Sequence, residues 1–562
     1  MDTQRLRLIL LLVFTFSLVM LWDAWQKYNQ PKVVSPPAGS PVQAAAPTPS
    51  TNLHTAAPAA PDAKSPSTSE KLETIAVKTD LFTAWVATQG GDIVRMEFEN
   101  FQDNVDKAKR FALFDNKHRY VAQSGLIGDQ LPNHKTVFIA TAGNRELAAD
   151  SQTVQLRLEG PLINGVKVSK LYTFTRGSYL IDVMHEIDNH GDKVLSAHAY
   201  YQLQRDSKAP EGESSMLSTF TGPAVYTDKE RYQKVTFDDI VKGNPKFANK
   251  ADDGWIAMVQ HYFVSAWLPE PGLSREYYIR KLEGGAEPVI SAGVIVPVPA
   301  VSPGSKTVFS VPLFAGPQIQ STLDKLAKAK SDGGVGAEGL PLVVDYGWLT
   351  VIAAPIFWCL GAIHSVVGNW GWAIVLLTVA IKLLFFPLSA ASYKSMAKMR
   401  TVTPRLMELK ERYGDDRQKL NAEMMSLYKR EKINPLGGCL PIAVQIPVFL
   451  ALYWALLGAV EIRDAPWVLW IKDLSAADPY YVLPVIMVVT MLIQTKLNPT
   501  PPDPIQAKVM MMMPFIFGAM FFFFPAGLVL YWVVNNILSI AQQWQITRMI
   551  EGGGKAANDS KA

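Results

Sequence analysis

The segment Asn369-Trp-Gly-Trp-Ala-Ile-Val-Leu-Leu-Thr-Val-Ala-Ile-Lys-Leu-Leu-Phe-Phe-Pro387 carries one charge, Lys382, inside an otherwise apolar run. Its length approaches the roughly 20 residues an α-helix needs to cross a bilayer. A lysine near mid-membrane costs about 2.5–3.5 kcal/mol on insertion scales. Either its side chain snorkels to the headgroups, or it faces a polar recess between helices. Lys382 stands about eight residues from the end of the span at 390, roughly 12 Å at 1.5 Å per residue, which is far for one side chain. Thr378 lies one turn earlier on the same face. The pair favours a water-filled recess.

Apolar runs follow at 441–460, 481–497, 505–524 and 526–543, and one precedes at 346–366. Segment 391–434 holds eleven Lys or Arg against six Asp or Glu, whereas 461–480 holds two against four. Basic loops stay in the cytoplasm, so 391–434 is expected inside and 461–480 outside. At the N-terminus, Arg5 and Arg7 precede an apolar run, and the bulky Trp22-Asp-Ala-Trp25 follows. This favours an uncleaved signal anchor over 1–28, with a cleaved signal as the competing reading. An odd number of crossings must then separate the N-terminal half from 391–434. The span at 370–390 supplies it. Segment 346–366 is therefore expected to lie along the outer interface, where Trp348, Trp358 and His364 suit it and Pro355 argues against a span. The expectation is six transmembrane helices, both termini inside, and a cytoplasmic tail over 546–562.

Residues 29–70 are rich in Pro, Ala, Ser and Thr, a composition that cannot bury enough apolar area to order itself and reads as a tether. Over 71–340 the pattern changes to a period of two, as in Val154-Gln-Leu-Arg-Leu158 and Tyr179-Leu-Ile-Asp-Val183, with turns such as Asn164-Gly165. Many short strands predict an antiparallel β-sandwich ending in a helix near 318–330. The fold class is thus a multi-pass α-helical membrane protein with an extracytoplasmic all-β domain, and 341–545 is its membrane core. The whole chain agrees: 562 residues are 49% hydrophobic but only 19% charged, and the net charge is +4. That charge does not point to nucleic acid. Two cysteines, Cys359 and Cys439, are too few for a disulfide framework, a multi-cysteine zinc site or an iron–sulfur cluster.

Gln445, Tyr531, Trp532 and Asn535 stand in other apolar runs as further walls of a recess. Singly, such residues are more often glue between helices. Ile446, Pro447, Phe449 and Met511 are candidate contacts for an apolar guest helix. The charged segment 391–434 reads as two amphipathic helices about a turn near 413–416. Lys398, Arg400, Arg412 and Met424 are its candidate partner-facing residues, with simple self-packing as the bland alternative. No Asp or Glu lies in the cores of the runs, which lowers the case for a channel or secondary transporter. A glycan-binding or glycan-modifying protein built on the sandwich is the other rival. P-loop, G-x-S-x-G, H-E-x-x-H and Rossmann glycine motifs are absent from the sequence, so no enzyme activity, cofactor or metal is expected.

The motifs Asn369-Trp-Gly371, Ile381-Lys-Leu383, Phe386-Pro-Leu388, Tyr393-Lys-Ser-Met-Ala-Lys-Met399, Asn434-Pro-Leu-Gly-Gly-Cys439, Gln445-Ile-Pro447, Asp473-Leu-Ser475, Asp478-Pro-Tyr-Tyr481 and Phe524-Pro-Ala-Gly-Leu-Val-Leu-Tyr531 closely resemble the YidC family of bacterial membrane protein insertases. The likeness covers about 346–545. The tether and β-domain resemble the Gram-negative form, in which that domain is a periplasmic β-supersandwich. The resemblance implies an inner-membrane insertase and chaperone whose hydrophilic groove opens to the cytoplasm and lipid and is closed outside. It makes Lys382 the positive residue that receives the polar part of an incoming chain, where Arg is usual. It makes Thr378 a groove residue, and Tyr531 and Trp532 the paired aromatics, where the second is usually Tyr. Implied partners are nascent membrane proteins, the ribosome, the signal-recognition particle receptor, the SecYEG and SecDF translocon components and the lipid bilayer.

Overall fold

The computed structural model describes residues 73–103, 105–128, 131–211, 219–282, 287–414, 416–431, 440–498 and 504–559. The expected signal anchor, the tether and the motif at 434–439 lie outside the described residues.

Alternation is visible directly in the β-domain: Val154, Leu156 and Leu158 are buried while Thr153 and Gln155 are exposed. Asn164 and Gly165 both take positive φ, 50° and 77°. Such a pair closes a two-residue hairpin whose twist matches its strands, here Thr153–Ile163 and Val166–Thr175. Two antiparallel sheets result. The first runs in the order Thr74–Lys78, Phe82–Ala87, Ile93–Gln102, Val121–Ile127, His198–Asp206, Val289–Pro297, Arg275–Leu282 and Lys250–Ala251. The second runs Arg231–Lys234, Gly222–Thr227, Trp255–Val259, Phe263–Trp267, Leu313–Pro317, Leu180–Asn189, Val166–Thr175, Thr153–Ile163 and Ile139–Ala140. Their facing sides share one core: Tyr201 of the first packs on Trp267 of the second at 4.9 Å between ring centroids.

A polar network is buried within that core. Lys170 is fully buried, and its ammonium donates to Gly90 O (2.6 Å), Ser124 O (2.8 Å) and Ser124 Oγ (2.9 Å). Asp92 accepts from Gln123 Nε2 at 2.6 Å. Burial pushes the Asp92 carboxyl up to about 7 and the Lys170 ammonium down to about 8, and each charge opposes the other's shift.

Helices α1 (Phe237–Val241) and α2 (Gln320–Ala327) belong to the β-domain. The helical half comprises α3 (Thr350–Val367), α4 (Trp370–Leu384), α5 (Phe386–Tyr413), α6 (Arg417–Arg430), α7 (Leu440–Gly458), α8 (Val482–Leu497), α9 (Pro504–Phe521) and α10 (Ala526–Asp559). One expectation needs correction. Pro355 does not interrupt α3. It sits in the second turn, so the carbonyl it leaves unpaired is that of Val351, which is 86% exposed. Over the expected span at 370–390, α4 and α5 meet at 66°. Phe385 ends one helix, and Pro387 opens the next at a first-turn position where its missing N–H costs nothing. Among the described residues, Thr350–Val367 is the one single helix long and apolar enough to cross a bilayer, and α4 with Phe386–Met396 qualifies as a bent pair. Val444–Gly458, Val482–Leu497 and Ala507–Phe521 are apolar but shorter.

The connection between α7 and α8 caps the bundle at one end. Asn369 caps α4 by accepting from Trp372 N (3.1 Å) and donates to Pro466 O (3.1 Å) in this connection. A Cβ on Gly371 would lie 2.1 Å from the Trp467 ring, so only glycine admits that approach. Asp478, buried, accepts from Trp470 Nε1 (3.0 Å) and Leu483 N (2.8 Å). Ala526 N and Gly527 N, at the start of α10, donate to Ala476 O (2.7 Å) and Leu474 O (2.9 Å).

The same connection grips the β-domain. The Arg463 side chain is 3% exposed. Its guanidinium lies over Phe111 (5.2 Å), Phe263 (5.3 Å) and Tyr262 (5.5 Å), and donates to Gln102 O. Lys107 pairs with Asp464 at 2.8 Å, Gln320 N donates to Glu461 at 3.0 Å, and His261 Nε2 donates to Leu457 O at 2.8 Å. Burial holds His261 down at about 4, so it stays neutral in ordinary buffers and this bond is insensitive to pH above about 5.

Two outcomes follow from these contacts. Asp92→Asn and Lys170→Met should each destabilise the β-domain by about 1–3 kcal/mol, because each removes the group that favours the other's charged form and disturbs a buried polar network. The double variant should cost less than the sum, read by denaturant unfolding of all four proteins. Arg463→Ala should cost about 2–3 kcal/mol in cation–π and hydrogen-bond contacts. Hydrogen exchange should then rise over 459–478 while the β-sheets stay protected.

Candidate functional site

The two polar positions on α4 have different surroundings. Thr378 is 1% exposed, its hydroxyl donates to Ile374 O of its own helix (2.7 Å), and it does not line either recess described below. Lys382 is 8% exposed and its ammonium donates to Ser539 Oγ on α10 at 2.7 Å. Ser539 in turn donates to Asn535 O at 2.7 Å, and Tyr393 OH approaches Ser539 O at 3.4 Å. No carboxylate among the described residues pairs with Lys382. Gln445 of α7 donates to Asn535 Oδ1, which extends the chain of polar contacts across three helices.

Two recesses flank that chain. The first, about 30 Å³, is lined by Lys382, Phe385 and Ser389 on one side and by Val444, Gln445 and Val448 on the other. It has room for about two water molecules. The second, about 260 Å³, lies between α7, α8 and α10, with Gln445, Gln494, Asn498 and Asn535 among its walls. Gln445 borders both. Tyr531 is 1% exposed. Trp532 packs edge-on against Phe449 at 4.5 Å, and its ring lies 5.4 Å from Phe521 of α9.

The apolar candidates are spread over two helices. Ile446 is 51% and Met511 63% exposed, Phe449 is half-buried, and Pro447 sits inside α7. In the basic hairpin, Lys398 and Arg412 are exposed, while the Arg400 side chain lies outside the described residues. Met424 is half-buried against Val402, Leu406 and Leu427 in the hairpin's own small core, and Met407 and Met425 are the exposed methionines.

Sequence reasoning passed over Ser539, Thr490 and Gln543. Asn536 Nδ2 donates to Thr490 Oγ1 (3.2 Å), and Gln543 Nε2 donates to Leu497 O (3.0 Å). The signal was available: Tyr531, Asn535, Ser539 and Gln543 recur every four residues along α10 and form one polar stripe.

Residues 74–359 match the family described as YidC periplasmic domain, and residues 362–553 match that described as 60Kd inner membrane protein. The membrane protein insertase YidC of Dechloromonas aromatica is 62% identical over 563 residues, covering 100% of both chains. That of Aromatoleum aromaticum is 58% identical over 98% of each chain. Among solved structures, an active YidC insertase with its first transmembrane domain resolved is similar at 19% identity and a TM-score of 0.40, covering 84% of this chain and 92% of that one. A likeness so high over the full length leaves one conclusion: the chain belongs to the YidC family of membrane protein insertases.

Proposed function

We propose that this protein inserts membrane proteins by lodging the polar part of an incoming chain beside Lys382 while the apolar part passes into lipid. One observation carries the reading: a lysine in an apolar helix, 8% exposed, is held by a serine hydroxyl and by no carboxylate among the described residues. A cation so held is available to an acidic or polar tail, and attraction is stronger there than in water. The guest's apolar helix leaves along the exposed faces of α7 and α9, at Ile446 and Met511. It gains about 25 cal/mol for each Å² of apolar surface removed from water. No bond is made or broken in that step, so we read the protein as an insertase and chaperone that is not an enzyme and uses no cofactor.

We further infer six transmembrane helices with both termini in the cytoplasm, α3 along the outer interface, and the β-domain in the periplasm. The excess of Lys and Arg over 391–434 supports the cytoplasmic position of the hairpin. Its exposed Lys398 and Arg412 suit acidic or ribosomal surfaces. The ribosome, the signal-recognition particle receptor and the SecYEG and SecDF components are the partners we assign, by family likeness. Lys382 keeps the charge of the usual Arg without its fork of donors.

If charge is what matters, Lys382→Arg should insert an acidic-tailed one-span substrate within about twofold of the native protein. Lys382→Ala should lower that insertion about tenfold, equivalent to about 1.4 kcal/mol, and Lys382→Glu should lower it further. The assay uses cells depleted of the native insertase, with a neutral-tailed substrate alongside. Equal insertion by the native, Ala and Glu forms would make Lys382 a snorkelling residue. Removal of 400–430 should slow insertion several-fold while the membrane helices stay protease-resistant. An unchanged rate and unchanged crosslinks to nascent chains would reduce the hairpin to self-packing.

A further inference from the structure

The larger recess differs from the one at Lys382 in chemistry as well as size. It measures about 260 Å³ against about 30 Å³. Its polar walls are Gln445, Gln494, Thr495, Asn498, Asn535 and Asn536, with no formally charged side chain in its lining among the described residues. Carboxamides donate and accept at once. The indole N–H of Trp532, also in the lining, is buried without an acceptor among the described residues. The hydrogen bond from Gln445 to Asn535 stands between this recess and the cation.

We propose that this recess is a second subsite, for an extended, uncharged stretch of the incoming chain, which it recognises through main-chain peptide groups. The inference rests on the insertase reading above and adds a division of labour to it. A segment crossing in extended form carries an unpaired N–H and C=O at every residue, and each costs several kcal/mol in apolar surroundings. A side-chain carboxylate is served by one cation; a bare backbone is served by several amides, whatever its sequence. Asn498 Oδ1 already accepts from Gln543 Nε2 at 3.3 Å, and Asn536 donates to Thr490, so the amides are held in place before any guest arrives. Gln445 and Asn535 separate the two subsites, and their bond must open for a guest to occupy both.

The test compares two one-span substrates in cells depleted of the native insertase, one with an acidic tail and one with a Gly/Ser/Asn tail of equal length. The double variant Gln494→Leu with Thr495→Val keeps volume and removes polarity. It should lower the ratio of uncharged-tail to acidic-tail insertion at least fivefold, and Lys382→Ala should move that ratio the other way. The ratio is independent of how much variant accumulates. A photoreactive residue at 494 in the otherwise native chain should crosslink the uncharged tail during insertion. An unchanged ratio, or crosslinks from 494 to lipid alone, overturns the second subsite. If the ratio falls in the double variant but Lys382→Ala leaves acidic-tail insertion intact, the reading of Lys382 fails and the amide subsite stands.

Discussion

A buried ammonium with no counter-ion among the described residues is the constraint around which the helical half is arranged. Lys382 cannot leave α4, and in apolar surroundings it cannot do without an acceptor. Ser539 supplies one at 2.7 Å, which draws α10 against α4. Ser539 sits where Asn535 and Tyr393 also meet it, so α5 and α7 are brought to the same point, α7 through Gln445. Neutralising the cation with a carboxylate would be the simplest way to stabilise this arrangement. The sequence puts no Asp or Glu in the helix cores, and the charge stays available. Stability is given up at this place, and in the function proposed above a guest supplies the partner.

How much of this was legible in the sequence depends on range. The β-domain announced itself through period-two patterning, because each strand there buries one face and wets the other. The apolar runs announced the helical half for a similar reason. Lys382 stood out because a charge in an apolar run is costly wherever it goes. What was missed is what depends on a partner distant in sequence. Ser539 looked like ordinary helix filler, and it holds the lysine across 157 residues of chain. The bend at Phe385 is marked in the sequence by Pro387, which fits the first turn of a new helix.

The connection between α7 and α8 combines roles that sequence analysis had assigned to separate parts. In the sequence it is marked by its charge and by two short motifs. In the fold it accepts from Asn369, the cap of α4, receives the start of α10 and inserts Arg463 among aromatic rings of the β-domain. The glycine and aspartate motifs at 369–371 and 478–481 thereby acquire a physical reason: one admits Trp467, the other satisfies Trp470 and the first turn of α8. A β-domain that seemed separable on composition shares a buried arginine with the membrane core.

The 66° junction turns α5 out of the line of α4. One helix therefore holds Ser389, in the wall of the lysine recess, near its start and Tyr413, at the turn of the basic hairpin, at its end. They are 24 residues apart, about 36 Å at 1.5 Å per residue. Pro404 lies between them and removes one hydrogen bond from the helix. The wall of the chamber and the tip of the hairpin are thus two ends of a single helix with one weak point along it.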